Sequence, residues 1–253
     1  MRLRWLVLMA VSAAFANAQV CGKECLRGLL DGYLFRMLRH NPSTLNLTQT
    51  AKFTENGEAL PIGEGFWKTA GGPTYKLYVL DPQGGAAAVQ AVVREGGQQR
   101  VSFLLRIKVA GKAISEAETI VARKAQTRFF APEKLPVPPV ALLQLLPLAD
   151  RMMRKDLTAV VEAFYAGRYA EEVNRFANGE PVSADSLKGA TITKRRTLVV
   201  DVEHGLVLSI GLLNAPGGDA ALAGEIFKVK AGKIEEIQGV MANHPKNGPT
   251  GWN

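Results

Sequence analysis

The chain has 253 residues, of which 47% are hydrophobic, and a formal net charge of +8. This length allows two domains of ordinary size, and the hydrophobic share excludes a disordered chain. The basic residues are scattered and are not interleaved with aromatic residues, which favours a solvated basic surface over a nucleic-acid-binding one. A basic surface of this kind still favours anionic or polyphenolic partners.

The first eighteen residues have the pattern of a secretory signal peptide. Arg2 and Arg4 precede an apolar run over residues 5–15, and residues 16–18 form a small-residue cleavage site. The run is too short to span a bilayer, and no later stretch qualifies, so we expect no membrane anchor. We therefore expect a mature protein that is periplasmic or secreted, with a formal charge of about +6 once the two arginines are removed.

The two cysteines, Cys21 and Cys25, lie at the start of the expected mature chain. In an exported protein such a pair predicts a disulfide bond. On a helix the i, i+4 spacing brings the Cα atoms to about 6 Å, within the range of a disulfide. We expect the bond to fix the first turn of the helix that begins there. A redox pair or a metal site is less well supported, because no histidine or further cysteine is near in sequence.

The next hundred residues predict one helix followed by an antiparallel sheet. Apolar residues recur at three- and four-residue steps over residues 25–39, which indicates an amphipathic helix. A strand with a turn at Asn56-Gly57 follows over residues 51–63. Strand-like runs then occupy residues 75–80, 86–94, 100–109 and 113–123, separated by glycine-containing turns.

A proline-rich stretch then separates this pattern from a second copy of it. Residues 132–149 are rich in proline and predict a linker that wraps over apolar surface. The pattern restarts with a helix over residues 150–169 and a turn at Asn178-Gly179. Strand-like runs follow at residues 196–202, 205–213, 222–230 and 233–241.

Two short matches indicate that the halves are diverged copies of one unit. FTENGE at residues 53–58 matches FANGE at 176–180, with Phe53 aligned to Phe176, and KVAGK at 108–112 matches VKAGK at 229–233. The two offsets agree to within two residues. We therefore predict a signal peptide at 1–18, a first unit at 19–131, a linker at 132–149 and a second unit at 150–253. Each unit is long enough to bury one core.

A helix followed by a strongly curved antiparallel sheet of this length resembles the nuclear-transport-factor-2-like superfamily. The segment GEIFKVKAGKIEEIQGV at residues 224–240 carries the resemblance best. The segments FTENGEALPIGEGFW at 53–67 and GPTGW at 248–252 further resemble a group of secreted microbial proteins with two such units in tandem. The superfamily includes ketosteroid isomerase, scytalone dehydratase and polyketide cyclases. The resemblance covers nearly the whole mature chain but indicates fold more than chemistry.

The resemblance implies an α+β fold of two cone-shaped units, each with a curved sheet around a largely apolar pocket. Proteins of this fold generally need no cofactor and move protons on small hydrophobic molecules in isomerisation, dehydration, cyclisation or lyase steps. Some release formaldehyde from lignin-derived aromatic diols. Such chemistry requires a tuned acid or base and a donor to a developing oxyanion. Ketosteroid isomerase is the worked example of this pairing in general accounts of catalytic pKa tuning.

Arg106 and Glu118 are the first pair of candidate catalytic residues. Each lies on a predicted strand with alternating faces, and a Glu118 that turned inward would pair with Arg106 across the strands. Such a pair would hold a substrate oxygen or tune a base. The alternative is a surface cross-strand ion pair with little effect on stability.

The turn at Glu55-Asn56 supplies a second set. Glu55 would act as the carboxylate base or acid, and Asn56 would donate a hydrogen bond to an oxyanion. The alternative for Asn56 is an ordinary turn, which Asn178 in the second copy favours. Glu55 has no such counterpart, because the second copy has Ala177 there. That asymmetry points to the first unit as the one that carries any chemistry.

Four further residues complete the prediction. Tyr33 is a catalytic candidate whose hydroxyl would point into the cone, and Glu64, Trp67 and Glu225 are candidates for substrate binding. For Tyr33 a half-buried structural place is an equal alternative, and for Trp67 a purely structural place in the core is the more common one. A Glu225 buried among apolar neighbours would have a raised pKa. The three histidines show no ligand spacing, so we expect neither a metal nor a cofactor.

Two functions remain in view. One is an exported, cofactor-independent lyase, isomerase or dehydratase that acts on a small hydrophobic, hydroxylated aromatic compound. The other is a non-catalytic small-molecule-binding protein. In proteins that resemble this fold the open sheet face often mediates dimerisation. A tandem copy would cover that face internally, which predicts a monomer with an internal pseudo-dimer, or else a homodimer.

Overall fold

The computed structural model describes residues 21–167 and 172–252 and shows an α+β protein with two six-stranded mixed sheets. The predicted signal peptide lies outside the described residues, as does the end of the helix predicted to reach residue 169. The helices are α1 (Lys23–Leu38), α2 (Val140–Leu143) and α3 (Arg154–Gly167). None of the described helices has the length and apolar character needed to span a membrane.

Each sheet is formed by one half of the chain. The first contains β1 (Leu47–Glu55), β2 (Glu58–Ala59), β3 (Ala70–Asp81), β4 (Ala86–Glu95), β5 (Gln99–Ala110) and β6 (Ala113–Ala122). The second contains β7 (Asn174–Ala177), β8 (Glu180–Pro181), β9 (Thr191–Asp201), β10 (Leu206–Asn214), β11 (Ala220–Lys230) and β12 (Lys233–Asn243). The strand orders, β2-β1-β6-β5-β4-β3 and β8-β7-β12-β11-β10-β9, are the same.

One pairing in each sheet corrects the expectation of purely antiparallel sheets. β1 pairs with β6 in parallel, and β7 pairs with β12 in parallel, while the other ladders are antiparallel. The reason is topological. The first strand of each unit lies beside the last one. In the first unit the three hairpin reversals from β3 to β6 leave those two strands antiparallel, and the connection from β1 through β2 to β3 adds one more net reversal, so β1 runs in the same direction as β6.

The first unit has a core between α1 and one face of its sheet, which we call the inner face. Alternation along the strands supplies that face, because residues two apart point to the same side. Its buried members include Leu26, Leu30, Phe103 and Leu105. The disulfide between Cys21 and Cys25 is present at the start of α1, with a Cα–Cα distance of 5.3 Å, so the sequence prediction of this bond is confirmed.

The second unit repeats this arrangement with α3 on the inner face of its own sheet. The shared core contains apolar residues of α3 and of β9 to β12, among them Leu157, Val161, Phe227 and Ile237. Three aromatic rings, Phe164, Tyr165 and Phe227, meet edge to face, with centroids 5.4 to 6.2 Å apart. Such contacts are favourable beyond the area they bury.

A third core lies between the two sheets, whose other faces, the outer faces, pack against each other. It contains Leu77, Val92 and Leu104 of the first sheet, Leu208 and Ile226 of the second, and Leu135 and Leu142 of the linker. The contact is close at Gly224, where an added Cβ would lie 2.1 Å from Leu104 Cδ2. The chain thus covers the outer face of each unit with the other.

Reciprocal ion pairs relate the two units by approximate two-fold symmetry. Arg154 at the start of α3 contacts Asp81 of the first sheet at 2.6 Å, and Lys23 at the start of α1 contacts Asp201 of the second sheet at 2.8 Å. Each aspartate also accepts a hydrogen bond from a backbone N–H of the other sheet. Burial alone would raise the pKa of Asp201, but hydrogen bonds from His204 and Lys23 outweigh it and lower that pKa.

The two Asn-Gly turns occupy equivalent places, which corrects the sequence alignment by one residue. Phe53 pairs with Ala117, and Arg175 pairs with Ile237, at matching points of the β1–β6 and β7–β12 ladders. Phe53 therefore corresponds to Arg175 and not to Phe176. The repeated signal was the turn itself, since Asn56 and Asn178 both have positive φ, 48° and 50°.

Candidate functional site

The predicted site residues fall in three separate places. Tyr33, Glu55 and Trp67 lie in and beside the core under α1. Arg106 and Glu118 lie between the two sheets, on the outer face. Glu225 lies on the inner face of the second sheet, among the residues that pack under α3.

Tyr33 and Trp67 are fully buried partners. The indole Nε1–H of Trp67 donates to the hydroxyl of Tyr33 at 2.9 Å, and the two rings meet edge to face with centroids 4.9 Å apart. Burial raises the pKa of Tyr33, and the neighbouring charge of Glu55 raises it further. With exposures of 0% and 1%, these two side chains occupy the space that a ligand of the first unit would need.

Glu55 is held by the backbone next to this pair. Its Oε2 accepts the N–H of Phe66 at 2.8 Å. Burial raises the pKa of Glu55, while the Phe66 N–H and the charge of Arg123 oppose that rise. The pKa of Glu55 is thus raised, as is expected of a catalytic acid or base. In the structure, however, the carboxylate holds the backbone at Phe66 in place. Glu64 lies outside this group, where it forms an exposed ion pair with Lys68.

Asn56 uses both ends of its amide on the backbone. Its Nδ2 donates to the carbonyl of Val121 at 3.1 Å, and its Oδ1 accepts the N–H of the same residue at 2.8 Å. Asn178 makes the same two bonds with Met241. This repetition favours the turn interpretation over the oxyanion-donor role for Asn56.

The expected pairing of Arg106 with Glu118 is wrong. Arg106 forms its ion pair with Glu116, while Glu118 binds Arg196 of the second sheet at 2.5 and 3.1 Å. Arg106 and Glu118 are directly opposite in the ladder, but arginine is long enough to reach past its nearest neighbour. Burial raises the pKa of Glu118, and Arg196 and Arg106 partly counter this. The Glu118–Arg196 pair therefore joins the two units. It lies on the outer face of the first sheet and not on the inner face.

The inner faces of the two units differ at equivalent positions. Phe103 pairs with Val121 in the first sheet, and Ala223 pairs with Met241 at the same point of the second. Phe66 and Ser186 are likewise the second residues of equivalent short 3₁₀ turns. Large aromatic residues of the first unit are thus replaced by small ones in the second.

An ion pair further closes the first unit at this end. Arg123 binds Glu95 through two hydrogen bonds of 2.7 Å, and its guanidinium lies 5.7 Å from the centre of the Phe66 ring. Phe66 in turn contacts Phe103, with ring centroids 5.5 Å apart. The first unit is therefore filled where the second has room.

A cavity of about 420 Å³ lies at this end of the second unit. Leu187, Leu213 and Met241 give it an apolar floor. Its wall on one side is Phe129, from the segment that follows the first sheet, so both halves of the chain contribute. Polar groups at its edge come from Arg128, Asp219, Asn243, His244 and other lining residues. This volume suits one small aromatic molecule.

Glu225 lies deeper on the same inner face. It is fully buried, and its Oε2 accepts a hydrogen bond from the Tyr165 hydroxyl at 3.0 Å. Its Oε1 lies 3.8 Å from Nε of Arg175, which is also buried and whose guanidinium stands 5.3 Å from the centre of the Phe164 ring. The equivalent position of the first sheet is Leu105, since Leu105 pairs with Thr119 where Glu225 pairs with Gly239.

Arg175 connects this buried carboxyl group to a second cavity of about 510 Å³. Phe129 and Ser186 line both cavities and lie between them. The described part of the second unit therefore offers a mainly apolar cavity, an adjacent cavity lined by both polar and apolar residues, and a buried carboxylate–guanidinium–hydroxyl cluster. No group of three His, Cys, Asp or Glu side chains among the described residues is arranged to hold a metal ion.

Sequence reasoning identified Glu225 but missed its partners. Tyr165 lies in the helix predicted over residues 150–169, and Arg175 directly precedes the FANGE segment at 176–180, but neither was among the predicted site residues. The signal that reveals Arg175 is its register: it lies two residues before the inward-facing Ala177, so it must point inward as well. Ser186 gave no signal, since only comparison with Phe66 in space shows that it leaves room.

The second half of the chain matches a known family model. A family model described as a domain of unknown function (DUF8021) matches residues 150–241, which lie in the second half of the chain and include Arg175, Ser186 and Glu225. No curated protein matches the chain. The chain is thus similar, over a part that contains many of the residues lining the cavities, to a domain whose description states no activity.

Proposed function

We propose that the chain binds a small, mainly apolar molecule in the second unit. The observation that carries this proposal is the 420 Å³ cavity with an apolar floor, at the place where equivalent residues fill the first unit. Apolar walls with few polar groups at the edge are typical of small-molecule sites. The cone shape implied by the resemblance fits a pocket of this kind and belongs to the same proposal.

The first unit then serves as a scaffold. Its outer face covers the outer face of the second unit, and residues 125–129 complete the cavity wall. This arrangement favours a monomer over a homodimer, because the outer face of each sheet, which would otherwise be free to associate with a second chain, is already covered. Export to the periplasm or the medium remains part of the proposal, and the Cys21–Cys25 disulfide is compatible with it.

Substitution of Ser186 by phenylalanine is expected to abolish binding. The new ring would occupy the cavity as Phe66 does in the first unit. The probes are vanillin, as a hydroxylated aromatic aldehyde, and the fluorescent dye 1-anilinonaphthalene-8-sulfonate. Dye fluorescence and its displacement by vanillin would be titrated against the parent chain. Affinity of the Ser186→Phe chain should fall at least tenfold, because the ligand loses its apolar contacts.

Ser186→Ala is the matched control, since it removes the hydroxyl but adds no bulk. It should bind the probes as the parent chain does. Circular dichroism and thermal unfolding would show that both variants are folded. Equal binding by the phenylalanine variant and the parent chain would place the probes elsewhere and overturn the assignment of this cavity.

A second candidate function is acid/base catalysis, as a cofactor-independent lyase, isomerase or dehydratase. The observation that favours it is the burial of Glu225 between the Tyr165 hydroxyl and the Arg175 guanidinium. A carboxylate removed from water beside a hydroxyl donor can exchange a proton with a bound substrate. In this proposal Glu225 is the acid or base, and the Tyr165 hydroxyl, whose one proton is donated to Glu225 Oε2, orients that carboxyl group.

Glu225→Gln is expected to lower turnover of a substrate, found by screening hydroxylated aromatic compounds, by about 10²–10⁴-fold. Binding of the same compound should change far less, since glutamine keeps the shape and one acceptor oxygen. The control is Glu55→Gln, which alters a carboxyl group of the first unit. Loss of turnover in Glu55→Gln but not in Glu225→Gln would move the chemistry to the first unit. Absence of turnover with retained binding would leave a binding protein.

A further inference from the structure

The last residues of the chain form an arm that crosses from the second unit to the first. The arm, residues 244–252, follows β12 and passes over the Asn56-Gly57 turn so closely that a Cβ added at Gly57 would lie 2.7 Å from the Pro249 carbonyl oxygen. Lys194 of β9 donates to the carbonyls of Asn247 and Gly248 at 3.1 and 2.9 Å. Lys52 of β1 donates to the carbonyl of Gly251.

Trp252 anchors the arm in the cleft where the two sheets meet. Its indole Nε1–H donates to Thr54 Oγ1 at 2.9 Å. Three cations surround the ring: Lys52 Nζ lies 4.4 Å from its centre, and the guanidinium carbons of Arg106 and Arg196 lie 5.7 and 5.8 Å from it. The arginines come from different units, so the ring contacts both.

A second segment makes the corresponding contact, which the approximate two-fold symmetry relates to that of the arm. Residues 127–135, which follow the first sheet, cover the Asn178-Gly179 turn of the second unit. The N–H of Ala131 donates to the Asn178 carbonyl at 3.0 Å, and a Cβ at Gly179 would lie 2.3 Å from the Ala131 carbonyl oxygen. Each unit thus holds the segment that follows the other unit's last strand. The first segment continues into the linker, whereas the arm follows the last strand of the second sheet.

We infer that the cleft formed by Lys52, Thr54, Arg106, Lys194 and Arg196 is a recognition surface for an extended peptide segment that carries an aromatic residue. The chain's own arm is its resident occupant. The chemistry is specific: lysines bind the backbone carbonyls, the threonine hydroxyl accepts the indole proton, and the cations attract the electron-rich ring face. The surface is distinct from the cavities of the second unit.

The test supplies the arm in trans. In the full chain carrying Trp252→Ala the anchor is lost while the two sheets and their shared core remain. A blocked peptide with the sequence of residues 247–252, NGPTGW, should bind this variant and raise its melting temperature. The peptide NGPTGA should bind about tenfold more weakly, because the ring contacts and one hydrogen bond are missing. The parent chain, whose cleft is occupied, should bind neither peptide at the same concentrations.

Equal binding of the two peptides to Trp252→Ala, or no binding of NGPTGW, would overturn the inference. A second variant covers the case in which Trp252→Ala does not fold. Lys52→Ala removes one exposed cation and should loosen the arm. Acrylamide quenching of tryptophan fluorescence should then increase, and the measurement uses the chain without the predicted signal peptide, which removes Trp5. Since Trp67 is buried, the change reports Trp252. Unchanged quenching in Lys52→Ala would count against the inference independently.

Discussion

Glu118→Ala is expected to lower the free energy of unfolding by about 3 kcal/mol, which is at the lower end of values for breaking a buried ion pair. The carboxylate is 1% exposed and carries two hydrogen bonds from Arg196, so its removal leaves a guanidinium between the sheets without its main partner. The loss is at the lower end because the side chain of Arg196 is 24% exposed and keeps some contact with water. Urea-induced unfolding, followed by circular dichroism, measures this quantity.

The matched control is Glu64→Ala, which breaks an ion pair whose two side chains are about half exposed. Its effect should stay below about 1 kcal/mol. Burial, and not the number of ion pairs, then accounts for the difference. An equal effect of the two substitutions would show that the Glu118–Arg196 pair does not hold the sheets together. A Glu118 variant of parental stability that had lost turnover would instead restore the catalytic interpretation.

Asn178→Ala is expected to cost about 3–4 kcal/mol, and Asn56→Ala about 2 kcal/mol, because buried backbone groups lose their partners. The Asn178 Oδ1 accepts the Met241 N–H, and the two protons of its Nδ2 are shared among three acceptors, the carbonyls of Met241 and Phe129 at 2.8 and 2.9 Å and Thr127 Oγ1 at 3.1 Å. Asn56 makes only the two bonds with Val121. Both positions also have positive φ, which alanine tolerates less well than asparagine.

Asn178→Asp separates these contributions. Aspartate also tolerates the left-handed region and keeps the acceptor for the Met241 N–H, but it loses the amide donors. Its cost should lie between zero and that of the alanine variant, as measured by urea unfolding. If Asn56→Ala cost more than Asn178→Ala, the extra bonds to residues 127–129 would contribute nothing, and the two turns would not act in the same way.

The order of the elements was predictable because it rests on local patterns. Three-residue periodicity indicated α1, whose observed bounds are Lys23–Leu38, and alternating apolar residues with glycine turns indicated strands such as β4 and β5. The disulfide followed from spacing and composition. The duplication was visible through the Asn-Gly turn, since a backbone with positive φ restricts the residue type at the same place in both copies.

The site was less predictable, since it depends on which side of a strand meets which neighbour. The alternation of residues along the strands predicted on which face of its strand each of Arg106 and Glu118 lies. Only the packing of the two sheets decides that this face lies against the other unit. The contrast of Glu55 with Ala177 suggested chemistry in the first unit. The ladder shows the opposite contrast deeper in the sheet, where Glu225 of the second unit corresponds to Leu105.

The sequence by itself determined the strands and the bond between the cysteines, because each of these depends on residues close in the chain. The parallel pairing of β1 with β6 and of β7 with β12 was decided by the tertiary structure, because the paired strands are distant in the chain. Only the tertiary structure decided which unit has room for a ligand, since that depends on side chains such as Phe66 and Phe103 that are distant in sequence and meet in space. It also decided the partners of Glu118 and Trp252, because both are bound by residues of the opposite unit. Long-range packing, which no local pattern encodes, fixes both.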